Sequence, residues 1–177
     1  MVRTMSDVKP EPLQWLWPGV FARAKVTLWG GDPGVGKSKL ASDIEARISA
    51  GLPLPDGTTA PTGGVIVFSA EDDPADTYRP FLDVAGGDPS RIIHVDCVAT
   101  VREDGTTERR TFNLERDIGT LRALLADHPD VVFVRIDPVT AYLGRVDSHK
   151  NAEVRALLRT WKRWRVNSML RSSWSRT

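Results

Sequence analysis

The sequence predicts an α/β protein whose parallel β-sheet is covered by helices on both faces. Short, nearly continuous apolar runs are typical of strands buried on both sides, and four such runs occur along the chain. Between them lie stretches in which apolar residues recur at helical spacing, and this alternation is expected of parallel sheets. The predicted strands are 26–29, 65–68, 92–95 and 131–137.

Three helices are predicted between these strands, from the spacing of their apolar residues and from glycine or proline at their ends. They cover 37–50, 74–85 and 114–125. A polar excursion over 100–112 has Asp104-Gly105 at its centre, which predicts a hairpin.

The bulk composition is that of one globular domain. At 177 residues, with 41% hydrophobic and 27% charged residues, the chain has room for a single core. The lone cysteine, Cys97, cannot form an internal disulfide and is predicted to be a small core residue. The first 14 residues lack the apolar run of a signal peptide, and no stretch approaches the roughly 18 apolar residues of a membrane span. We therefore expect a cytoplasmic protein with no membrane contact.

Charge is distributed unevenly along the chain. The net charge is +1, but residues 155–177 contain seven Lys or Arg and no acid, so the rest of the chain is acidic. Arginines interleaved with Trp161, Trp164 and Trp174 could bind nucleic acid through phosphate contacts and base stacking. The alternative is a fraying helical end with solvated charges, which we favour because no accompanying fold presents the basic run.

A phosphate-binding loop is the most specific motif. The residues Gly31, Asp32, Pro33, Gly34, Val35, Gly36, Lys37 and Ser38 fit G-x-x-x-x-G-K-[ST]. The loop lies between a predicted strand and a predicted helix, so its backbone N–H groups and the helix dipole would face an anion. Lys37 is expected to reach the β- and γ-phosphates and the Ser38 hydroxyl to bind magnesium. The predicted ligands are therefore ATP and Mg²⁺.

Two acids follow predicted strands. Asp137 ends the strand 131–136 and is predicted to hold magnesium through a water molecule; the alternative is a turn acid before Pro138. Glu71 follows the strand 65–69 and is predicted to orient and deprotonate the attacking water, with a solvated acid as the alternative. The adjacent Asp73 could cap the next helix, and Asp72 could be a solvated turn acid.

With these motifs in place, the sequence resembles the RecA-like AAA-type ATPases of bacterial mobile elements and phages, the group that includes the RepA-like hexameric replicative helicases. The resemblance covers roughly residues 13 to 160. The matching stretches are 15–19, 30–38, 68–74, 136–138 and 146–151.

This resemblance implies ATP hydrolysis, with Lys37 and Glu71 as catalytic residues and Asp137 as the Walker B acid. It also implies a ring-like, hexameric homo-oligomer with the nucleotide at subunit interfaces, and work on DNA in replication or repair. Single-stranded DNA is accordingly a candidate partner, and Asp147–Asn151 could face DNA or a neighbouring subunit. An arginine or lysine finger from the neighbouring subunit is expected, but no residue of this chain is identified as one.

The chain departs from the family at two places. Arg135 interrupts an otherwise apolar strand, so we expect that it reaches the sheet edge, that an acid pairs with it, or that the strand is weakened. Beyond Val166 only Met169, Leu170 and Trp174 are apolar, so no buried strand is expected there and the sheet is predicted to be incomplete at its C-terminal end.

These observations divide the chain into an N-terminal arm (1–24), a P-loop ATPase core (25–153), and a helix end with a basic tail (154–177). The predicted function is that of an ATP-binding, RecA-like ATPase module. One alternative is a truncated nucleotide-binding remnant without productive turnover. Another is a small-molecule P-loop kinase, whose acceptor lid would be the 100–112 excursion with Arg102, Arg109 and Arg110.

Overall fold

The computed structural model describes residues 4–102, 104–143 and 167–172. Numbered in chain order, the strands of this part of the chain are β1 Trp15–Trp17, β2 Phe21–Ala22, β3 Val26–Gly30, β4 Gly64–Ser69, β5 Ile92–His94, β6 Val98–Val101, β7 Thr107–Arg110, β8 Val131–Asp137 and β9 Asn167–Ser172. Five of them form one sheet in the order β3-β9-β8-β4-β5, and every neighbouring pair in it is parallel.

Helices lie between the strands as predicted, except that the third begins at Ile118, four residues later than predicted. They are α1 Lys37–Ala50, α2 Arg79–Val84 and α3 Ile118–Asp127, and a single π turn over Pro74–Tyr78 leads into α2. The predicted α/β fold with a parallel sheet is therefore confirmed. The polar excursion is the antiparallel hairpin of β6 and β7, with Gly105 at φ +81° in its turn. Within the described residues, no helix has both the length and the apolar character needed to cross a bilayer.

Two hydrophobic clusters lie on opposite faces of the sheet. Successive residues of β4 point to opposite sides, so Val65 and Val67 join one cluster whereas Ile66 and Phe68 join the other. The first cluster includes the buried face of α1, and the second includes Leu121 of α3. The strand β4 therefore lies in the centre of a three-layer core.

The predicted absence of a strand beyond Val166 is wrong. Asn167–Ser172 forms β9, which pairs with β3 on one side and with β8 on the other. In this register Leu170 lies opposite Leu28 of β3 and Ile136 of β8. Parallel pairing uses only backbone N–H and C=O groups, so a polar sequence can supply a strand that an apolar pattern does not reveal.

The N-terminal hairpin of β1 and β2 packs on the α1 side of the sheet. Leu16 and Phe21 are buried there, and the Phe21 ring lies 5.4 Å from that of Phe133, centroid to centroid. The indole N–H of Trp17 donates to Asp56 at 2.7 Å. Part of the predicted arm thus contributes to the core, while the predicted boundaries at 24 and 153 stay a prediction.

Cys97 is exposed, so its prediction as a core residue is wrong. It lies in the connection between β5, which ends the main sheet on one side, and the hairpin strand β6. The loop Asp147–Asn151 lies outside the described residues, and so does the basic run 155–177 apart from the residues of β9. Its three tryptophans are therefore not described.

Candidate nucleotide-binding site

The predicted phosphate-binding loop connects β3 to α1. Gly34 and Gly36 have φ of +78° and +82°, values that glycine adopts without strain. Gly36 is also the N-cap of α1, and it has no side chain that could accept from the N–H groups of the first turn. These N–H groups, together with the positive end of the helix dipole, are therefore available to an anion at the loop.

Lys37 is the first residue of α1 and is only 6% exposed. Its ammonium donates a hydrogen bond to the carbonyl oxygen of Gly31 at 2.7 Å and a second to that of Asp32. The charge is thus held against the first residues of the loop. Ser38 follows Lys37 in the first turn of α1 and is half-buried.

Asp137 ends β8 at the same edge of the sheet as the loop, because all the strands run parallel. Its side chain is 1% exposed. Its register partner in β4 is Ser69, and its carbonyl oxygen accepts from the N–H of Ala70 at 3.0 Å. The end of β8 is thereby tied to the end of β4, two residues before Glu71.

Glu71 is exposed and lies between the end of β4 and the π turn. The two acids after it have different roles in the fold. Asp73 caps the π turn, because its carboxylate accepts from the N–H groups of Ala75 at 2.7 Å and Asp76 at 3.1 Å. This confirms its predicted capping role, and the same bonds lower the pKa of Asp73. Asp72 is half-buried rather than fully solvated.

Arg135 is completely buried and is held by two acids. Its Nε lies 2.7 Å from Oε1 of Glu45 on α1, an ionic contact that is not directed as a hydrogen bond. Its Nη1 donates to Oδ2 of Asp137 at 3.0 Å. The second oxygen of Glu45 accepts from the hydroxyl of Tyr78 at 2.7 Å. We call these four residues the buried cluster.

The buried cluster shows how the fold accommodates Arg135 inside an apolar strand. Of the three expectations, pairing with an acid is the one that the structure shows, and the strand β8 keeps its full length. Burial by itself would lower the pKa of Arg135, but the negative charges of Glu45, Asp137 and Asp72 hold it above its ordinary value. Arginine therefore stays charged inside this sheet.

The same arrangement makes the ionised form of Glu45 unfavourable. Complete burial raises the pKa of Glu45 from 4.5 to about 7, although Arg135 and the hydroxyl of Tyr78 both act to lower it. The cluster places one guanidinium beside two buried carboxyl groups, so one negative charge is in excess when both are ionised. Burial and the adjacent Glu45 also raise the pKa of Tyr78.

No role was predicted for Glu45 or Tyr78. A signal was present in the sequence, because Glu45 is a charged residue on the face of α1 that otherwise carries Ala41, Ile44 and Ile48. An acid on the inner face of a helix and an arginine inside an apolar strand are each costly alone, and together they suggest a pair.

The hairpin arginines are mostly engaged with neighbouring acids. Arg102 pairs with Glu108 at 2.8 Å, and Arg110 pairs with Asp117 through two hydrogen bonds of 2.6 and 2.7 Å. Arg109 is exposed. Two of the three arginines considered for a kinase lid are therefore committed to intramolecular ion pairs.

Comparison with known families decides the class of this protein. A family model described as an AAA domain matches residues 2–169, which is nearly the whole chain. The chain belongs to this AAA family. The family and the parallel sheet identify the chain as a nucleotide-binding ATPase module. A search of curated proteins found no match to this chain.

Proposed function

We propose that this AAA domain hydrolyses ATP in a magnesium-dependent reaction. The observation that carries the proposal is the arrangement at one sheet edge, where the P-loop, Asp137 and the segment with Glu71 follow three parallel strands. Ligands of open α/β sheets bind at this edge. Lys37 and the N–H groups of the loop would hold the phosphates there.

The residues at this edge suit magnesium. Mg²⁺ prefers oxygen ligands, and the Ser38 hydroxyl and the Asp137 carboxylate are of this kind. Over residues 4–102, 104–143 and 167–172, no group of three or more His, Cys, Asp or Glu could hold a metal ion by itself. This fits an ion that arrives with nucleotide phosphates, which supply its remaining ligands. When bound, it neutralises charge on the β- and γ-phosphates.

The proposed reaction is an in-line displacement on the γ-phosphorus. A water oxygen forms a bond to phosphorus, the bond to the bridging oxygen breaks, and ADP leaves with that electron pair. The Glu71 carboxylate orients the water and accepts its proton. Lys37 stabilises the negative charge of the transferred group.

We further propose that the protein works on DNA in the replication or repair of a mobile element, like the RepA-like group that it resembles. On this proposal it forms a hexameric ring, and a neighbouring subunit supplies a cationic finger to the nucleotide. The ordered set of motifs in the sequence supports this role. A cytoplasmic location and contact with single-stranded DNA belong to the same proposal.

Binding and phosphate release, measured separately, test the ATPase proposal. Lys37→Ala removes a charged donor and should weaken binding of a fluorescent ATP analogue roughly 10- to 100-fold. Glu71→Gln should retain binding but slow phosphate release about 100-fold or more. The matched control is Asp76→Asn, an exposed acid on the same segment, which should leave both quantities unchanged.

The outcomes separate the competing functions. Release that depends on Lys37 and increases with single-stranded DNA supports the ATPase acting on DNA. Binding without release in the wild type points to a nucleotide-binding domain without turnover. Transfer of phosphate to a small acceptor points to a kinase.

A further inference from the structure

Arg135 occupies a position between the elements that carry the proposed site. Its guanidinium contacts Asp137 of its own strand and Glu45 of α1, and all three side chains are at most 1% exposed. We propose that Arg135 is a positioning residue, which fixes the Asp137 carboxylate and locks β8 to α1 so that Asp137 and Ser38 keep their relative placement. This inference rests on the proposed function, because it assigns these two residues to the magnesium site.

The Asp137 carboxylate is oriented from within its own strand. Asp137 lies two residues after Arg135, so the two side chains project from the same face of β8. The hydrogen bond from Nη1 of Arg135 to Oδ2 of Asp137 is 3.0 Å long and closed to solvent. Water therefore does not compete for this oxygen, and the bond from Arg135 restrains the direction in which the carboxylate points.

The helix α1 is held by the same guanidinium. Glu45 lies seven residues after Ser38 on α1, so the two residues share one face, about 10 Å apart along the axis. The contact of Glu45 with Arg135 thus holds the side of the helix that presents Ser38. One guanidinium therefore joins the strand of the proposed Walker B acid to the helix that begins within the P-loop.

The segment after β4 reaches the buried cluster through Tyr78. Tyr78 is the last residue of the π turn, which starts three residues after Glu71. Its hydroxyl donates to the Glu45 oxygen that is not used by Arg135, and its ring lies 5.5 Å from the guanidinium carbon. All three segments that carry proposed catalytic or magnesium-binding residues therefore converge on Arg135.

The geometry requires arginine and not merely a positive charge. Separate nitrogens of one planar guanidinium serve the two acids, with Nε at Glu45 and Nη1 at Asp137. A lysine ammonium is a single point charge and cannot keep both contacts with the same spacing. Arg135→Lys therefore separates positioning from charge neutralisation.

The test is the magnesium dependence of nucleotide binding by the full chain. A fluorescent ATP analogue is titrated with Mg²⁺, and its affinity without magnesium is measured in parallel. Arg135→Lys should raise the Mg²⁺ concentration at half-saturation about 10- to 100-fold, the range found when groups that orient a metal ligand are removed. Binding without magnesium should change by less than about twofold, because the P-loop is intact.

Two further variants make the result decisive. Arg110→Lys is the matched control, since Arg110 is also held by a carboxylate but lies on the hairpin, and it should not change the magnesium midpoint. Tyr78→Phe removes one hydroxyl and keeps the ring, and it replaces Arg135→Lys in the test if that variant does not fold. It should raise the Mg²⁺ concentration at half-saturation roughly twofold to tenfold.

The outcomes distinguish this inference from the proposed function. If the wild type shows no Lys37-dependent nucleotide binding, the proposed function fails and the positioning role fails with it. If the wild type binds and responds to magnesium, but folded Arg135→Lys has the wild-type midpoint, only the positioning role is overturned. The positioning role is also overturned if Arg110→Lys shifts the midpoint equally, or if Tyr78→Phe alone can be measured and shows no shift.

Discussion

Arg135 and Arg110 are both paired with carboxylates at 2.6–3.0 Å, but they lie in opposite environments. Arg135 projects from β8 towards Glu45 of α1 and has no exposed side-chain surface. The side chain of Arg110 is 34% exposed, and it joins the hairpin to Asp117 at the start of α3. At similar distances, the free energy of each pair depends on how much water its partners have lost.

This difference in burial explains why removing one partner of each ion pair should cost different amounts of stability. A charge near solvent keeps much of its hydration when its partner is removed, so the loss is small. A buried charge that loses its partner has no such compensation, and the cost is large. Arg135 is therefore required by its surroundings once Glu45 and Asp137 are buried, whereas Arg110 adds rigidity to a hairpin that already has a backbone ladder.

The largest expected effect comes from Arg135→Met. This change keeps an unbranched stem but leaves two buried carboxyl groups without their cation, and it should lower the free energy of unfolding by about 3–5 kcal/mol. Urea denaturation measures it, with Arg110→Met as the matched substitution. A loss below about 1 kcal/mol would mean that water reaches the buried cluster.

Glu45 gives the next largest effect, and its sign is set by its pKa. The folded pKa, about 7, lies above the unfolded value of 4.5, so the stabilising contribution is present below pH 4.5 and is lost as the pH rises through 7. Compared with Glu45→Gln, the wild type should become less stable between pH 4.5 and 8, by on the order of 2–3 kcal/mol. A constant difference across this range, measured by denaturation at each pH, would contradict the assignment.

Asp117 should show the opposite pH dependence with a smaller amplitude. Hydrogen bonds from Arg110 are the main cause that lowers the pKa of Asp117, and the N–H of Asn113 adds to it. The contribution is present above about pH 4 and is lost as the pH falls through the lowered pKa. At pH 7, Asp117→Asn should cost about 1–2 kcal/mol. The difference in the free energy of unfolding between Asp117→Asn and the wild type should become smaller in acid. A difference that becomes larger in acid would refute the prediction.

Arg110→Ala is expected to have the smallest effect. Because its guanidinium is partly solvated, the urea midpoint should fall several-fold less than for Arg135→Met. Added salt should shrink the difference further, since exposed charges are screened. An effect as large as that of Arg135→Met would remove the distinction between the two environments.

The parts of the fold that depend on local signals could be predicted from the sequence. The helix α1 begins at Lys37 and ends at Ala50 as predicted, because a glycine flanks each end and Gly51 adopts φ +69°. The strand β8 and its terminal Asp137 followed from one apolar run. The P-loop could be predicted from its own eight residues and the strand and helix patterns beside them.

What escaped prediction depends on residues far apart in the chain. Glu45, one of the two acids that contact Arg135, lies about 90 residues earlier in the chain, and nothing in the sequence around Arg135 indicates this contact. The strand β9 was missed because its pairing uses the backbone, whereas the apolar pattern reports side-chain burial. Cys97 was misplaced because the usual burial of cysteine says nothing about a connection outside the sheet.

The position of β9 affects how this protein reaches its fold. In the described residues β3 hydrogen bonds to the rest of the main sheet only through β9, although the paired residues are about 140 positions apart in sequence. Loops of this length close slowly, so the strand that leads into the P-loop is among the last to be secured. During synthesis we expect the edge of β3 that pairs with β9 to stay unpaired until β9 has left the ribosome, which exposes it to pairing with other chains.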